Sequence, residues 1–287
     1  DMITATKISE VRNTVREWKQ QGFTVGLVPT MGYLHEGHAS LVDYASAMCD
    51  KVVVSDFVNP TQFSPTDDLE AYPRDFEHDC EILRKHNCDM VFYPSVDEMY
   101  PDGNGKTDTY VEIFNDMTSQ LCGKSRPGHF RGVCTVVAKL FNIVTPDKAF
   151  FGEKDAQQLA VIKRMARDMS YGTEIVGCPT VRESDGLAKS SRNAYLEPEQ
   201  RKAAQVLYRA LQAGKNAIDK GEKNSNKITD IIQEVIDSEP MAVTDYVSVV
   251  DGITMMPIDK ISDGTLIAIA VYIGKTRLID NFTYHSR

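Results

Sequence analysis

The chain has 287 residues, 42% hydrophobic and 25% charged, and carries a net charge of -9. That length allows about two domains, since domains commonly run to about 100–150 residues, and the composition is that of an ordinary globular protein. The acidic balance argues against a broad nucleic-acid or anionic-membrane surface, so an anionic ligand must be drawn by a few placed Lys, Arg and His residues.

The first part of the chain alternates strand-like and helix-like segments. Candidate strands are Thr24–Val28, Val52–Val58, Met90–Tyr93, Lys148–Phe151 and Glu174–Thr180, and candidate helices are Lys7–Gln20, Gly37–Cys49, Phe76–His86, Gly132–Val144 and Ala156–Met169. This β-α-β rhythm predicts an α/β domain with a Rossmann-like, doubly wound parallel sheet over residues 1–182, whose ligands bind at the carboxyl ends of the strands. After Arg182 the pattern changes to helices over Pro198–Lys220 and Lys227–Ser238, then strands over Asp245–Val250, Thr265–Tyr272 and Thr276–Thr283. A smaller C-terminal α+β domain over 183–287 follows from that order. Six cysteines with no CxxC pair read as reduced thiols. The chain's first residues show no signal-peptide core and no run approaches membrane-spanning length, so a cytoplasmic location without membrane or nucleic-acid partners is expected.

The most informative stretch is Val28-Pro-Thr-Met-Gly-Tyr-Leu-His35-Glu-Gly-His38. It lies between a buried strand and a helix, so two imidazoles sit at a helix N-terminus just past a strand's carboxyl end. Free backbone N–H groups and the positive end of the helix dipole would add to them, making an anion site. Gly32 and Gly37 lack a Cβ, which would let a phosphate approach the main chain. Taken alone, HxxH leaves a helix start with two surface histidines at even odds, while zinc lacks the further ligands it needs.

Four more segments accompany it: Asp56-Phe-Val-Asn-Pro-Thr-Gln62-Phe, Ser125-Arg-Pro-Gly-His129-Phe-Arg131-Gly132, Phe151-Gly-Glu-Lys154-Asp155-Ala-Gln-Gln158 and Arg182-Glu-Ser-Asp185-Gly-Leu-Ala-Lys189-Ser-Ser-Arg192-Asn193. Together, over nearly the whole chain, they resemble the pantothenate synthetase (pantoate–β-alanine ligase) family. The resemblance implies ATP-dependent joining of pantoate to β-alanine through pantoyl adenylate, with release of pyrophosphate and AMP. It also implies Mg²⁺ as a companion of ATP, and a homodimer.

Residue by residue, the resemblance implies that His38 supplies a proton or a strong hydrogen bond and His35 binds the phosphates beside it. Met31, Gly32, Tyr33, Leu34, Glu36 and Gly37 complete that ATP segment. Gly152, Glu153, Lys154 and Asp155 form a second, with Lys154 on the α-phosphate and Asp155 on a ribose hydroxyl or on Lys154. Val181 contacts adenine. Lys189, Ser190, Ser191 and Arg192 resemble a KMSKS-like loop closing over the outer phosphates, although Lys189 stands where the family usually has Met or Leu. Gln62 and Gln158 hold pantoate, with Gln62 also near β-alanine. His129 and Arg131 guide carboxylates or fix a helix start. Asp79 is a candidate for contact with hydrated Mg²⁺, and no protein metal ligand is assigned. Ser64–Tyr72 is a candidate lid. Other readings are a nucleotidyl transferase that keeps the nucleotide in its product, a tRNA synthetase relative and a catalytically dead protein of this fold.

Overall fold

The computed structural model describes residues 1–67 and 69–287. Asp68, within the candidate lid, lies outside the described residues. Six strands form one parallel sheet: β1 (Ile3–Ala5), β2 (Val25–Thr30), β3 (Lys51–Asp56), β4 (Met90–Phe92), β5 (Lys148–Gly152) and β6 (Glu174–Cys178). Their order is β1-β4-β3-β2-β5-β6. The chain winds one way from β2 through β3 to β4 and the other way through β5 to β6. The switch point therefore falls at β2, where the connecting loops diverge and leave a crevice at the strands' carboxyl ends. The HxxH segment leaves β2 at that place.

β2 and β3 read as apolar runs because helices cover both faces of the sheet, so alternate residues have no water to face. The helix Glu36–Met48 lays Ala39, Val42 and Ala45 on this core. The helix His129–Val144 buries twelve of its sixteen residues. It begins three residues before the expected Gly132 because Gly128, at φ 79°, turns the chain into it. That earlier start brings His129 into the first turn. β1 escaped the sequence reading; at three residues it is held by its register Ile3↔Met90 through Ala5↔Phe92, not by any pattern of its own.

The smaller sheet is antiparallel: β7 (Ala242–Asp251), β8 (Thr265–Ile273) and β9 (Thr276–Tyr284), in that spatial order. The expected helix 198–220 is two helices, Pro198–Ala203 and Val206–Asp219. Between them the hydrogen bonds tighten to an i→i−3 pattern, Gln205 to Lys202 and Leu207 to Ala204. The period of 2 along β8 explains how the two parts join. Ile267, Ile269, Val271 and Ile273 pack with Ile228 and Ile232 of the helix Ser225–Asp237. Leu266 and Ala268 point the other way and belong to the core of the large sheet. Arg182 pairs bidentately with the buried Asp280 of β9, at 2.6 and 2.9 Å.

One close approach fixes the loop that carries Gln62. A Cβ at Gly132 would lie 2.4 Å from the Thr61 carbonyl and 2.5 Å from Gln62 Cα, so only glycine lets this helix touch the turn Pro60–Gln62. Gly132→Ala is expected to lower stability by about 1–3 kcal/mol, the usual cost of overpacking. Thermal unfolding checks this, and an unchanged midpoint would mean that the loop yields freely.

Candidate active site

His35 caps the helix Glu36–Met48: its Nδ1 accepts the Gly37 N–H at 2.9 Å, while His38 Nδ1 accepts the His35 N–H at 3.1 Å. With both Nδ1 atoms accepting, each imidazole carries its proton on Nε2. The rings stand 4.1 Å apart. Burial, followed by the charges of Lys154 and Lys189, lowers the His35 pKa to about 4. Burial, His35 and Lys154 lower that of His38 to about 3. Both are neutral hydrogen-bond donors at neutral pH, and neither is a stored imidazolium.

The backbone around them differs from the expected open anion cradle. The Gly32 N–H bonds Thr30 Oγ1, and the Tyr33 and Leu34 N–H groups bond the two carboxylate oxygens of Asp79 at 3.1 and 2.8 Å. With the two imidazole acceptors included, the N–H groups of residues 32–35 and 37 are already occupied. The glycines also serve the protein itself. A Cβ at Gly32 (φ +77°) would fall 2.4 Å from Asp56 Oδ1, and one at Gly37 would fall 2.6 Å from His35 Cε1. Asp79 therefore braces the loop instead of reaching toward an ion. Asp56 lies buried against it, and Asp56 Oδ2 finds no donor among the described residues. Burial and the neighbouring Asp79 carboxylate push the Asp56 pKa up to about 8, so the pair shares a proton at neutral pH.

A cavity of about 630 Å³ opens at the strand ends. It gathers His35, His38, Lys154, Lys189, Ser190, Ser191 and Arg192, all expected from the sequence. Met31, Gly37, Gly152, Asp155, Val181, Gln62 and Gln158 also line it, whereas Gly32, Tyr33, Leu34, Glu36 and Glu153 do not. The first three of those absentees shape the loop from behind, and Glu36 faces solvent. Ser190 caps the short turn Ser191–Tyr195 by accepting the Arg192 N–H, and Ser191 Oγ donates to the Tyr33 carbonyl at 3.4 Å. Asn281 of β9 donates to the carbonyls of Glu153 and Lys154, fixing the lysine's backbone.

Gln62 is oriented by its neighbours. Tyr100 donates to Asn59 Oδ1 at 2.6 Å, and Asn59 Nδ2 donates to Gln62 Oε1 at 3.0 Å. The Gln62 amide nitrogen is thereby left to donate to a ligand carboxylate or hydroxyl. His129 Nδ1 donates to the Gln62 carbonyl at 2.9 Å, and burial with Arg126 nearby lowers its pKa to about 4. His129 lines the cavity, whereas Arg131 stacks on Tyr110 at 4.2 Å and does not. Phe63, Asp67 and Tyr72 of the candidate lid segment and its approach line it too, with Asp67 paired to Arg126 at 3.2 Å.

Sequence reasoning passed over Arg126 and Arg277, which also face this space. Burial, then the charges of Arg126 and Arg277, pull the Arg192 pKa down, so the three guanidiniums crowd one region. Arg126 stands inside the motif that runs from Ser125 to Gly132 and was legible as a cation. Arg277 arrives on β9, far along the chain from Arg126, with no local signal. Among the described residues no group of three His, Cys, Asp or Glu is placed to hold a metal.

Neutral donors backed by lysines and arginines suit a multiply charged anion, and the Gln62 amide suits a small carboxylate beside it. This fold and cavity define an α/β enzyme that works on a polyphosphate together with a carboxylic acid. The sequence model described as "Pantoate-beta-alanine ligase" matches residues 3–283, and the chain belongs to that family. A pantothenate synthetase from Enterococcus faecalis is 55% identical over 283 residues, 99% of each chain. One from Clostridium botulinum (strain 657 / Type Ba4) is 54% identical over 277 residues, covering 96% of this chain and 97% of that one. The crystal structure of pantothenate synthetase from Thermus thermophilus superposes with a TM-score of 0.93 at 44% identity, covering 99% of this chain and 100% of that one. A Francisella tularensis pantoate–β-alanine ligase, solved with β-γ ATP and β-alanine, gives a TM-score of 0.79 at 37% identity, covering 99% and 98%.

The Asp56–Asp79 pair makes a pH prediction. An aspartate titrates near 3.9 when unfolded. Between that value and about 8 the folded protein holds a proton that the unfolded chain has lost, so this pair's contribution to stability falls as pH rises through that window. Asp56→Asn keeps a donor toward Asp79 without the titration. It should melt higher than the parent at pH 8, with the gain shrinking toward pH 5; a gain independent of pH would contradict a shared proton.

Proposed function

We infer that the chain condenses (R)-pantoate with β-alanine, using ATP, through pantoyl adenylate. The observation that carries this reading is one cavity lined by lysines and arginines, two neutral imidazole donors and the Gln62 amide, whose oxygen is already held by Asn59. In the first step a pantoate carboxylate oxygen attacks the α-phosphorus, the bond to the bridging oxygen breaks and pyrophosphate leaves. His38 and His35 donate from Nε2–H to phosphate oxygens, and Lys154 opposes the charge that grows on the α-phosphate. Ser190, Ser191 and Arg192 hold the outer phosphates and the departing pyrophosphate. Val181 borders the base, and Asp155 the ribose or Lys154. Gln62 and Gln158 hold pantoate. In the second step the free amine of β-alanine, near Gln62, attacks the acyl carbon; AMP leaves and the amine gives up a proton.

Mg²⁺ enters this scheme with ATP, as part of the substrate. Asp79 is committed to the loop backbone, and no protein ligand is assigned to the ion, which usually takes most of its ligands from phosphates and water. A homodimer, a cytoplasmic location and a domain division at 182/183 complete the proposal. The dimer rests on family membership. The location rests on the resemblance to a biosynthetic family; among the described residues no helix is long and apolar enough to cross a membrane. The division is supported by the separate apolar cluster of the C-terminal helices and sheet.

Labelled pyrophosphate should exchange into ATP when pantoate is present and β-alanine absent, with AMP accumulating only once the amine is added. Exchange that requires β-alanine would exclude a free adenylate; a nucleotide retained in the product would favour a nucleotidyl transferase. His38→Ala and Lys154→Ala should each slow that exchange by about 10²–10³-fold with the fold intact. A near-normal rate in either would remove that residue from the first step. Gln62→Ala, losing about one hydrogen bond of ~1 kcal/mol, should weaken pantoate several-fold in a binding titration and leave ATP unaffected.

A further inference from the structure

The three imidazoles that line the cavity do not carry their protons alike. His35 and His38 are protonated on Nε2, because each Nδ1 accepts a backbone N–H. In His129 it is Nδ1 that lies 2.9 Å from the Gln62 carbonyl, and a carbonyl can only accept. The proton of His129 is therefore on Nδ1, and its Nε2 presents a bare lone pair. The half-buried ring is held edge-on to Phe130, with centroids 5.0 Å apart, in the first turn of the helix that Gly128 opens. Burial and the charge of Arg126 keep it neutral, while Gln62, Asp155 and Asp67 pull the other way. Three residues earlier, Arg126 gives one terminal N–H to Asp67 at 3.2 Å, and its buried Nε finds no acceptor among the described residues. This corner of the cavity thus offers an acceptor for an N–H beside a cation for a carboxylate. A neutral Nε2 lone pair repels a carboxylate oxygen, so His129 itself does not guide carboxylates. Its chemistry suits the other end of an amino acid, the free amine.

We propose that His129 is the general base of the second step: its Nε2 accepts an N–H of the β-alanine amine and takes that proton as the C–N bond forms. This rests on reading the cavity as the ligase site. The amine's lone pair makes the bond to the acyl carbon, and the bond from that carbon to the phosphate oxygen breaks, its electron pair leaving on AMP. The electrons of the N–H bond stay on nitrogen, and His129 becomes an imidazolium that later releases its proton to water. A base is useful here because an attacking amine gains positive charge and is readily expelled again until it loses a proton. The imidazolium keeps its Nδ1–H on the Gln62 carbonyl, and Asp155 and Asp67 favour its charge. One residue, Gln62, then registers both partners: its side-chain amide faces the acid and its carbonyl aims the base at the amine. Two imidazoles donate to phosphate oxygens in the first step, and the third accepts from the amine in the second.

The test separates the two steps. Pantoyl adenylate is formed on the full chain from ATP and pantoate, β-alanine is added, and pantothenate is timed in a single turnover. His129→Asn is the informative variant, because its amide nitrogen can still donate to the Gln62 carbonyl while the acceptor at the Nε2 position is gone. With thermal melts confirming its fold, it should slow the transfer by about 10²-fold or more, the usual worth of a positioned base. Pantoate-dependent pyrophosphate exchange and pantoate affinity should stay near the parent's. The proposal is overturned if His129→Asn transfers at the parent rate. It is equally overturned if exchange falls as much as transfer, or if pantoate affinity drops, since the ring would then serve only to prop Gln62. Nitrogen-15 spectra of the parent test the tautomer whatever the variant does: His129 should be protonated on Nδ1, and a proton on Nε2 instead would overturn the proposal. A parent chain without pantoate-dependent exchange overturns the underlying site reading, whereas normal exchange beside unimpaired transfer in His129→Asn overturns this inference alone.

Discussion

The structure depends on how the segment from Gly32 to His38 satisfies its own backbone. Asp79 and the Thr30 hydroxyl from outside it and two imidazoles from within hold it, and the N–H groups of residues 32–35 and 37 are all occupied. A loop whose polar groups are already paired has little reason to rearrange when a ligand arrives. What it presents to the cavity is a pair of fixed, uncharged Nε2–H donors. The cationic side chains that line the cavity come from elsewhere: Lys154 after β5, Lys189 and Arg192 after β6, Arg126 before the central helix and Arg277 on β9. Separating direction from charge lets the imidazoles stay neutral in a buried place while the cations come from several elements.

This division of labour explains why the small antiparallel sheet belongs to the site. β8 splits its side chains between two cores, so the C-terminal sheet is seated on the large one by the same alternation that folds it. Once seated, it delivers Arg277 to the cavity and fastens the Lys154 backbone through Asn281. The Arg182–Asp280 pair closes the connection where the large sheet's last loop meets β9. A ligase has to hold an acid, a nucleotide and then an amine in one place, and a cavity walled by two sheets provides that.

Much of this was legible in the sequence where local chemistry sets local structure. The strands β2 to β6 and the HxxH helix follow from apolar period and length, and the motif residues Gln62, Lys154, Gln158 and Arg192 all reach the cavity. The purpose of Gly32 and Gly37 was not legible, because the atoms that would strike their Cβ belong to Asp56 and to a particular turn of the His35 ring. Nor was the burial of Asp56 and Asp79, which lie more than twenty residues apart and meet only when the helix Phe76–Lys85 packs beside β3. β1 and the break in the helix pair after Pro198 were hidden for the opposite reason: they are local but too short to carry a period.

Everything at the site turns on two motif imidazoles that are neutral, directed donors. Nitrogen-15 spectra of histidine-labelled protein at pH 7 test it most directly. His35 and His38 should both show a protonated Nε2 and an unprotonated Nδ1, consistent with values of about 4 and about 3. An imidazolium signal from either residue at that pH, or a proton on Nδ1, would contradict it.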